Sequence, residues 1–220
     1  MSKVDGGPSQ SGSWTGAVRR RLLDAFPPEK LLPEKQPAYV ASWVYVFGVL
    51  TVAALVIVIG SGIILTLKGP TWWHVSSVGL FFNSLHLWSV ELLFFFMVIH
   101  LWAKFLMAAW RGGRTMTWIT GAVAFIVSIG AAFTGYLSQQ NFASQWISVQ
   151  AKDGLNSVGI GAFFNVLDFG QMFTWHLVVL PLGVTFLVVG HILLVRKHGI
   201  APPLPRRDRD DEARTVERSP

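Results

Sequence analysis

The sequence contains no cysteine, and only 14% of its 220 residues are charged. Without cysteine, the chain by itself can form no disulfide, thiolate zinc site, iron–sulfur cluster or thioether-linked haem. Soluble domains carry about 25% charged residues, so the shortage of charge argues against a soluble protein. Apolar residues are abundant instead: 52% of the chain is hydrophobic, including 16 Phe and 10 Trp. This composition predicts a membrane protein.

Four windows are long and apolar enough to cross a bilayer as helices, which takes about 20 residues each. Span A covers residues 44–67, span B 81–110, span C 117–137 and span D 173–195. The predicted fold class is therefore an all-α membrane protein, a four-helix transmembrane bundle.

Composition divides the chain into three parts. Residues 1–40 are polar and have no apolar leader, so span A is expected to start membrane insertion itself. Within this arm, residues 14–26 are predicted to form an amphipathic helix on the membrane surface. Residues 41–204 hold the four spans. Residues 205–220 are charged at nearly every other position, which is typical of a disordered tail.

Positive charge sets the predicted orientation. Sixteen of the 18 Lys and Arg residues lie in the arm, the B–C connection and the tail, which all face one side of the membrane. The positive-inside rule places that side, and both termini, in the cytoplasm. The predicted location is the cytoplasmic membrane. No basic surface extends beyond the lipid flanks, so no nucleic-acid partner is expected.

Four histidines lie within spans, where imidazole is costly and normally faces the bundle interior. Span B carries His86 and His100, 14 residues apart, and span D carries His176 and His191, 15 apart. On straight helices these spacings turn by about −40° and +60° and separate the residues by about 21 and 22.5 Å. With B and D entering from outside, His86 and His176 form an outer pair and His100 and His191 an inner pair.

Two opposed imidazoles at one depth suit the axial positions of an iron porphyrin held between facing helices. A lone intramembrane histidine is more often a hydrogen-bonded packing residue, but two matched pairs favour ligands. Zinc is less suited, because two ligands per level leave its site unfinished. The pattern therefore suggests two bis-histidine haems stacked across the bilayer.

Glycine pairs on the other two spans repeat the 14-residue spacing. Gly48 and Gly62 lie on span A, and Gly121 and Gly135 lie on span C. Close packing of helices through small residues is the alternative explanation. A flat macrocycle, however, needs neighbouring backbones that approach without Cβ atoms. The spacing predicts one glycine near each haem edge.

Together these residues resemble the N-terminal, haem-binding part of cytochrome b, in the split form of the cytochrome bf complex and related bc complexes. The resemblance covers about residues 15–204. It includes the 15-residue spacing in span D, TMTW at 115–118, TGY at 134–136, Trp146, Pro181 and RKHGIAPPL at 196–204.

The resemblance implies that each histidine pair holds one non-covalent haem b. Arg114 stands where the family has a basic residue near the inner haem's propionates, and Arg196 matches one near the inner quinone site. Val46 stands where photosynthetic members carry the cysteine for an additional haem, so no covalent third haem is expected. This chain departs from the family at Asn83, usually an arginine, and at residues 138–140, where Leu-Pro-Trp is replaced by Ser-Gln-Gln.

The resemblance further implies an electron-transfer subunit of a quinol:acceptor oxidoreductase that is not catalytic alone. It would carry electrons from outer to inner haem, with quinol and quinone as substrates. The implied partners are a Rieske iron–sulfur protein, a C-terminal cytochrome b subunit and cytochrome c or an equivalent, in a homodimeric complex. The alternative is a haem b anchor that links quinone to a peripheral dehydrogenase or reductase.

A third alternative is a transporter that relays protons through intramembrane His and Glu residues. Glu91 is the only acid inside a span. It suits either a proton relay near the outer haem or a protonated acid bonded to a neighbouring helix.

Overall fold

The structure is a computed structural model that describes residues 14–31 and 36–204, without the side chain of Lys30. The charged tail predicted at 205–220 lies outside the described residues. All regular elements of the described residues are helical. In chain order they are α1 (Trp14–Ala25), α2 (Pro28–Leu31), two 3₁₀ turns (Ala38–Ala41 and Trp43–Tyr45), α3 (Val46–Lys68), α4 (Pro70–Val75), α5 (Ser77–Leu106), α6 (Thr115–Leu137), α7 (Phe142–Ser157), α8 (Phe169–Thr174), a π-helical turn (Trp175–Val179) and α9 (Leu180–His198).

The four predicted spans are confirmed as four helical stretches long and apolar enough to cross a membrane. Their bounds are Trp43–Lys68, Ser77–Leu106, Thr115–Leu137 and Phe169–His198. The chain is therefore an all-α, multi-pass membrane protein. Large apolar side chains cover the outside of the bundle, as contact with lipid requires: Phe186, for example, is 81% exposed.

The predicted bounds of the second span are wrong by four residues at each end. Helix α5 begins at Ser77 because the Ser76 hydroxyl caps it, accepting a hydrogen bond from the Gly79 N–H at 3.3 Å. The helix ends at Leu106, and the chain then turns through positive φ angles at Ala108, Gly112 and Gly113. Apolar content alone does not show where such a cap or turn lies.

The bundle consists of two packed helix pairs. Helix α3 packs along α5, and α6 packs along α9, while α5 and α6 touch over a shorter length. The chain runs up and down through successive spans, so α5 and α9 are parallel and bring their histidines to matching levels. We call the end with His86 and His176 the outer end and the end with His100 and His191 the inner end, after the predicted orientation.

The inner end is tied together by the segment that follows α9. Three successive carbonyl groups, at residues 199–201, each accept a hydrogen bond from a different side chain. The donors are Arg114 Nε to Gly199 at 3.3 Å, Tyr39 to Ile200 at 2.9 Å and Tyr45 to Ala201 at 2.9 Å. We call this the C-terminal clasp. It fixes the start of α3, the start of α6 and the end of α9 relative to one another.

Helix α7 and the segment after it cover the outer end. Asn141 and Ser144 form a capping box that starts α7 directly after α6. Leu137, Val166 and Met172 form a small buried cluster beneath it. Helix α7 lies in the long connection between the third and fourth spans.

Candidate cofactor site

Each of the four intramembrane histidines lies against one of the four paired glycines. A Cβ atom on the glycine would lie 3.1 Å or less from the Cε1 atom of the imidazole. The pairs are Gly48 with His100 (3.0 Å), Gly62 with His86 (3.1 Å), Gly121 with His191 (2.9 Å), and Gly135 with His176. Ordinary carbon–carbon contacts lie at about 3.5–4.0 Å, so a side chain at any of these positions would push on the ring.

The four glycines therefore make room for the four imidazole rings. In the structure each of these glycines faces an imidazole ring, and the position of each near a haem edge stays a prediction. At these four glycines, α3 and α6 present backbone with no side chain. The imidazole rings of the second and fourth spans lie against it. The same packing of an imidazole ring against a glycine therefore occurs four times in the bundle.

Three of these imidazoles also share one hydrogen-bonding rule. In each, Nδ1 lies within hydrogen-bond distance of the carbonyl oxygen one helical turn before the glycine. The contacts are His86 to Val58 at 3.0 Å, His176 to Ala131 at 2.9 Å and His191 to Thr117 at 2.8 Å. That carbonyl is shared with the helix's own N–H, and the imidazole reaches it because the glycine has no Cβ. With Nδ1–H donated to the backbone, Nε2 is left as the free nitrogen for a metal.

His100 departs from this rule. Its Nδ1 is buried and has no hydrogen-bond partner among the described residues. One turn before Gly48 stands Val44, which belongs to the 3₁₀ turn Trp43–Tyr45 rather than to α3. Because the α-helix starts only at Val46, the carbonyl of Val44 is not in the position that the other three acceptors share.

The spacing of the outer pair fits two imidazoles on one metal atom. The ring centroids of His86 and His176 are 6.1 Å apart, with the ring planes at 86°. Two Nε2–metal bonds of about 2.0–2.1 Å, plus about 1.1 Å from each nitrogen to its ring centroid, give about 6 Å. The donor set, the hydrogen bonds at Nδ1 and this separation all fit a bis-histidine haem iron.

A π-helical turn, Trp175–Val179, explains why the two histidines of the fourth span, His176 and His191, are 15 residues apart. It contains His176 and precedes Pro181. A π turn absorbs one extra residue in a helix. The 15 residues from His176 to His191 therefore advance the helix about as far as 14 regular residues do. The +60° rotation predicted for a straight helix is corrected accordingly, and both helices present their histidines in the same phase.

Groups of three or more His, Cys, Asp or Glu side chains placed to bind one metal ion do not occur among the described residues.

The two departures from the family pattern lie next to each other. Asn83 and Gln139 exchange two side-chain hydrogen bonds, of 3.2 and 3.1 Å, between the outer ends of α5 and α6. His74 Nε2 lies 2.9 Å from the Gln139 carbonyl oxygen. We call these three residues the outer amide cluster. Because Asn83 and Gln139 are 56 positions apart, no local sequence pattern signals this contact.

A cavity of about 390 Å³ opens beside this cluster, between the end of α6, α7 and α8. Its walls are largely apolar, with Val166 and Met172 among them. Polar groups come from Gln140, Gln145 and Ser148. Apolar walls with a few polar groups are typical of small-molecule sites.

The other predicted site residues lie at the bundle's periphery. Arg114 is half-buried, and its guanidinium donates to the carbonyls of Gly199 and Arg111, both at 3.3 Å. Arg196 is exposed on the last turn of α9. Glu91 is exposed on α5 and lies about 140° around the helix from His86, so it faces away from the histidine pair.

Comparisons with known proteins agree with this architecture. A family model described as cytochrome b (N-terminal)/b6/petB matches residues 91–219. This range contains His100, His176 and His191, and His86 lies five residues before it.

Cytochrome b6 of Heliobacterium mobile is 25% identical over 198 residues, which covers 80% of this chain and 93% of that protein. The menaquinol:cytochrome c reductase cytochrome b subunit of Geobacillus thermodenitrificans is 27% identical over 209 residues, with 84% and 92% covered.

The fold also resembles a chain of a hyperthermophilic respiratory Complex III. The TM-score is 0.65 at 20% identity, over 91% of this chain and 62% of that one. The chain thus spans less than two thirds of that solved structure. Fold, paired histidines and family match agree: this chain belongs to the cytochrome b family, as an N-terminal, bc/b6f-type cytochrome b, a family of membrane electron carriers that bind b-type haem.

Proposed function

We propose that this chain is the di-haem subunit of a quinol:acceptor oxidoreductase, carrying electrons between an outer and an inner level of the membrane. The observation that carries the proposal is the fourfold pairing of an intramembrane histidine with a glycine of the facing helix. Haem b, when bound, supplies one-electron redox chemistry, and the protein supplies ligation, spacing and polarity.

The chain's own residues hold and orient the ligands. His86 and His176 are assigned to the outer iron, and His100 and His191 to the inner iron. The backbone carbonyls of α3 and α6 fix three of the four rings in the tautomer that leaves Nε2 free. The 14-residue advance on α5 places the two levels about 21 Å apart along the helix.

The outer cavity is assigned to quinol. Its apolar walls suit a lipid-soluble ring, and Gln140 and Gln145 offer hydrogen bonds to quinol oxygens. The Ser148 hydroxyl donates to the Ser144 carbonyl and can accept a hydrogen bond from a quinol hydroxyl. It lies beside the outer amide cluster, at the level of the outer pair. The inner site for quinone is assigned to the end of α9 near Arg196, and Arg114 is assigned to the propionate side of the inner haem.

Orientation and partners complete the proposal. Both termini face the cytoplasm, because the arm, the B–C connection and the tail carry most of the positive charge. A Rieske protein and a cytochrome c or equivalent accept electrons outside, and a C-terminal cytochrome b subunit completes the quinol site, in a homodimeric complex. No covalent third haem is attached, since Val46 cannot form a thioether.

One observation favours a second candidate, a haem b anchor for a peripheral dehydrogenase or reductase. Asn83 and Gln139 bond to each other where the family's arginine and Leu-Pro-Trp stand. An outer end built this way suits electron exchange with quinone that does not split the electron pair.

Quinol oxidation by the native complex separates the two candidates. The complex is purified from its own membranes, and cytochrome c reduction by quinol is measured with and without Ser148→Leu and Gln145→Leu, which fill the cavity. The proposal expects quinol-dependent reduction that both substitutions depress at least tenfold. An exposed apolar residue such as Phe186, changed to Leu, is the matched control. Quinol-reducible haem without any transfer to cytochrome c would support the anchor instead.

A further inference from the structure

Two hydroxyl side chains touch ring nitrogens of the paired histidines. Among the described residues, these are Ser61, whose Oγ lies 3.0 Å from His86 Nδ1, and Thr120, whose Oγ1 lies 3.3 Å from His191 Nδ1. Each stands directly before one of the paired glycines. Because the glycine makes room for the imidazole ring, the hydroxyl next to it comes within reach of the ring nitrogen.

The direction of the contact at His86 follows from counting hydrogen atoms. Its Nδ1 lies 3.0 Å from the Val58 carbonyl oxygen, which can only accept, so Nδ1 carries a hydrogen. The Ser61 hydroxyl has one hydrogen, and it goes to the nearer of two carbonyls, Ile57 at 2.7 Å rather than Val58 at 3.1 Å. The Ser61 oxygen is therefore free to accept. The His86 N–H is shared between the Val58 carbonyl oxygen and the Ser61 hydroxyl oxygen, which both lie at 3.0 Å.

The same arrangement recurs with a longer distance at the inner pair. His191 Nδ1 donates to the Thr117 carbonyl at 2.8 Å, and the Thr120 hydroxyl oxygen lies 3.3 Å from the same nitrogen. The hydroxyl hydrogen of Thr120 returns to its own helix, where the carbonyls of Met116 and Thr117 both lie at 2.9 Å. The longer distance makes Thr120 the weaker of the two hydroxyl acceptors.

The other two ligands lack a hydroxyl acceptor. Thr134 also stands directly before a paired glycine, but its hydroxyl lies 2.9 and 3.1 Å from two carbonyl oxygens of α6. Within the part of the chain that the structure describes, no side chain bonds to His176 Nδ1. The residue before Gly48 is Phe47, which has no hydroxyl. A hydroxyl residue before the glycine is thus not sufficient, and each pair contains one histidine with a hydroxyl acceptor.

We propose that the Ser61 hydroxyl, as a second acceptor for the His86 N–H, lowers the reduction potential of the outer haem, and that Thr120 acts in the same way, more weakly, at the inner haem. This inference rests on the proposed function, since it requires haem at both pairs. An imidazole that donates its N–H to an acceptor is a more basic ligand, and a more basic ligand stabilises ferric iron. Ser61 and Thr120 are positioning residues, because they touch the ligand and not the iron.

Potentiometric titration of both haems in the purified complex tests the proposal. Ser61→Ala removes the second acceptor, so the ratio of reduced to oxidised outer haem at a fixed potential should rise about threefold to tenfold, a shift of about 28–59 mV for one electron. Ser61→Thr keeps the hydroxyl and should keep the wild-type potential. Thr120→Ala should raise the potential of the inner haem by less and leave the outer haem unchanged.

Ser128→Ala is the matched control. Ser128 is 5% exposed, against 4% for Ser61, and its hydroxyl also donates to a carbonyl of its own helix, Ala124, at 2.8 Å. It has no bond to a ring nitrogen, so its loss should leave both potentials unchanged.

Three outcomes of the titration would overturn the proposal. The first is an unchanged outer potential in Ser61→Ala with both haems retained. The second is a lower outer potential, because the hydroxyl would then compete with the imidazole for the Val58 carbonyl. The third is an equal shift in Ser128→Ala. If Ser61→Ala does not fold, Ser61→Cys provides a weak acceptor of similar size.

A second readout separates the hydrogen bond from a general change in polarity. Infrared redox-difference spectra of protein labelled with ¹⁵N-histidine should show a histidine ring band that moves in Ser61→Ala and stays in place in Ser61→Thr and Ser128→Ala. A shifted potential without movement of that band would refute the hydrogen bond as the cause. A chain without the outer haem fails at the haem count, before Ser61 is tested, and that result would refute the proposed function instead.

Discussion

The glycine against the outer ligand offers a sharp perturbation because the same helix carries its own control. A Cβ at Gly62 would lie 3.1 Å from His86 Cε1, about 0.4 Å inside ordinary contact, whereas a Cβ at Gly60 meets nothing within 4 Å. Overpacking of this kind costs about 1–3 kcal/mol, and replacing a helical glycine by alanine gains up to about 1 kcal/mol. Gly62→Ala should therefore destabilise the protein by about 1–3 kcal/mol more than Gly60→Ala does.

The loss should appear at the outer haem. Displacing the His86 ring stretches its 3.0 Å hydrogen bond to the Val58 carbonyl, so the ligand is misplaced rather than removed. A difference of 1–3 kcal/mol corresponds to roughly a fivefold to hundredfold weaker haem affinity. The assay is extraction of haem by excess apomyoglobin, followed by the absorbance of each haem. Gly62→Ala should lose its outer haem faster and keep the inner one, and Gly60→Ala should match the wild type. Equal behaviour of the two variants would refute the argument that glycines seat the histidines.

Three further predictions follow from the same geometry. Deleting Val178 should convert the π turn to regular helix and keep both haems, whereas deleting Leu187 in the regular part of α9 should rotate the inner ligand by about 100° and lose one haem, as counted by pyridine haemochrome. A double-mutant cycle of Asn83→Ala and Gln139→Ala, measured by thermal unfolding, should give a coupling of about 0.5–1.5 kcal/mol, and zero coupling would remove the outer amide pair. Tyr45→Phe should destabilise the C-terminal clasp by about 0.5–1.5 kcal/mol and speed proteolysis after residue 198, while an unchanged rate would argue against the clasp.

The sequence predicts the spans well because lipid imposes a single requirement, about 20 apolar residues in a helix. It predicts the histidine pairing because depth follows from residue count in an up-and-down bundle. The predicted bounds of the second span were wrong because a serine cap and a turn with positive φ, not hydropathy, set the ends of α5. The cap signal was present in the sequence at Ser76.

Two features of the site needed the structure. The 15-residue spacing from His176 to His191 was visible, but a straight helix was assumed, and only the π turn shows how the phase is restored. The contact between Asn83 and Gln139 depends on how α5 and α6 meet, which no local pattern encodes.

The assignment of two haems to two histidine pairs can be checked by a reduced-minus-oxidised spectrum of the purified protein with a haem count per chain. Two low-spin b-type haems are expected. Replacing His86 or His176 should remove the same one, and replacing His100 or His191 should remove the other. No haem, a single haem, or loss of different haems on changing two members of one pair would contradict it.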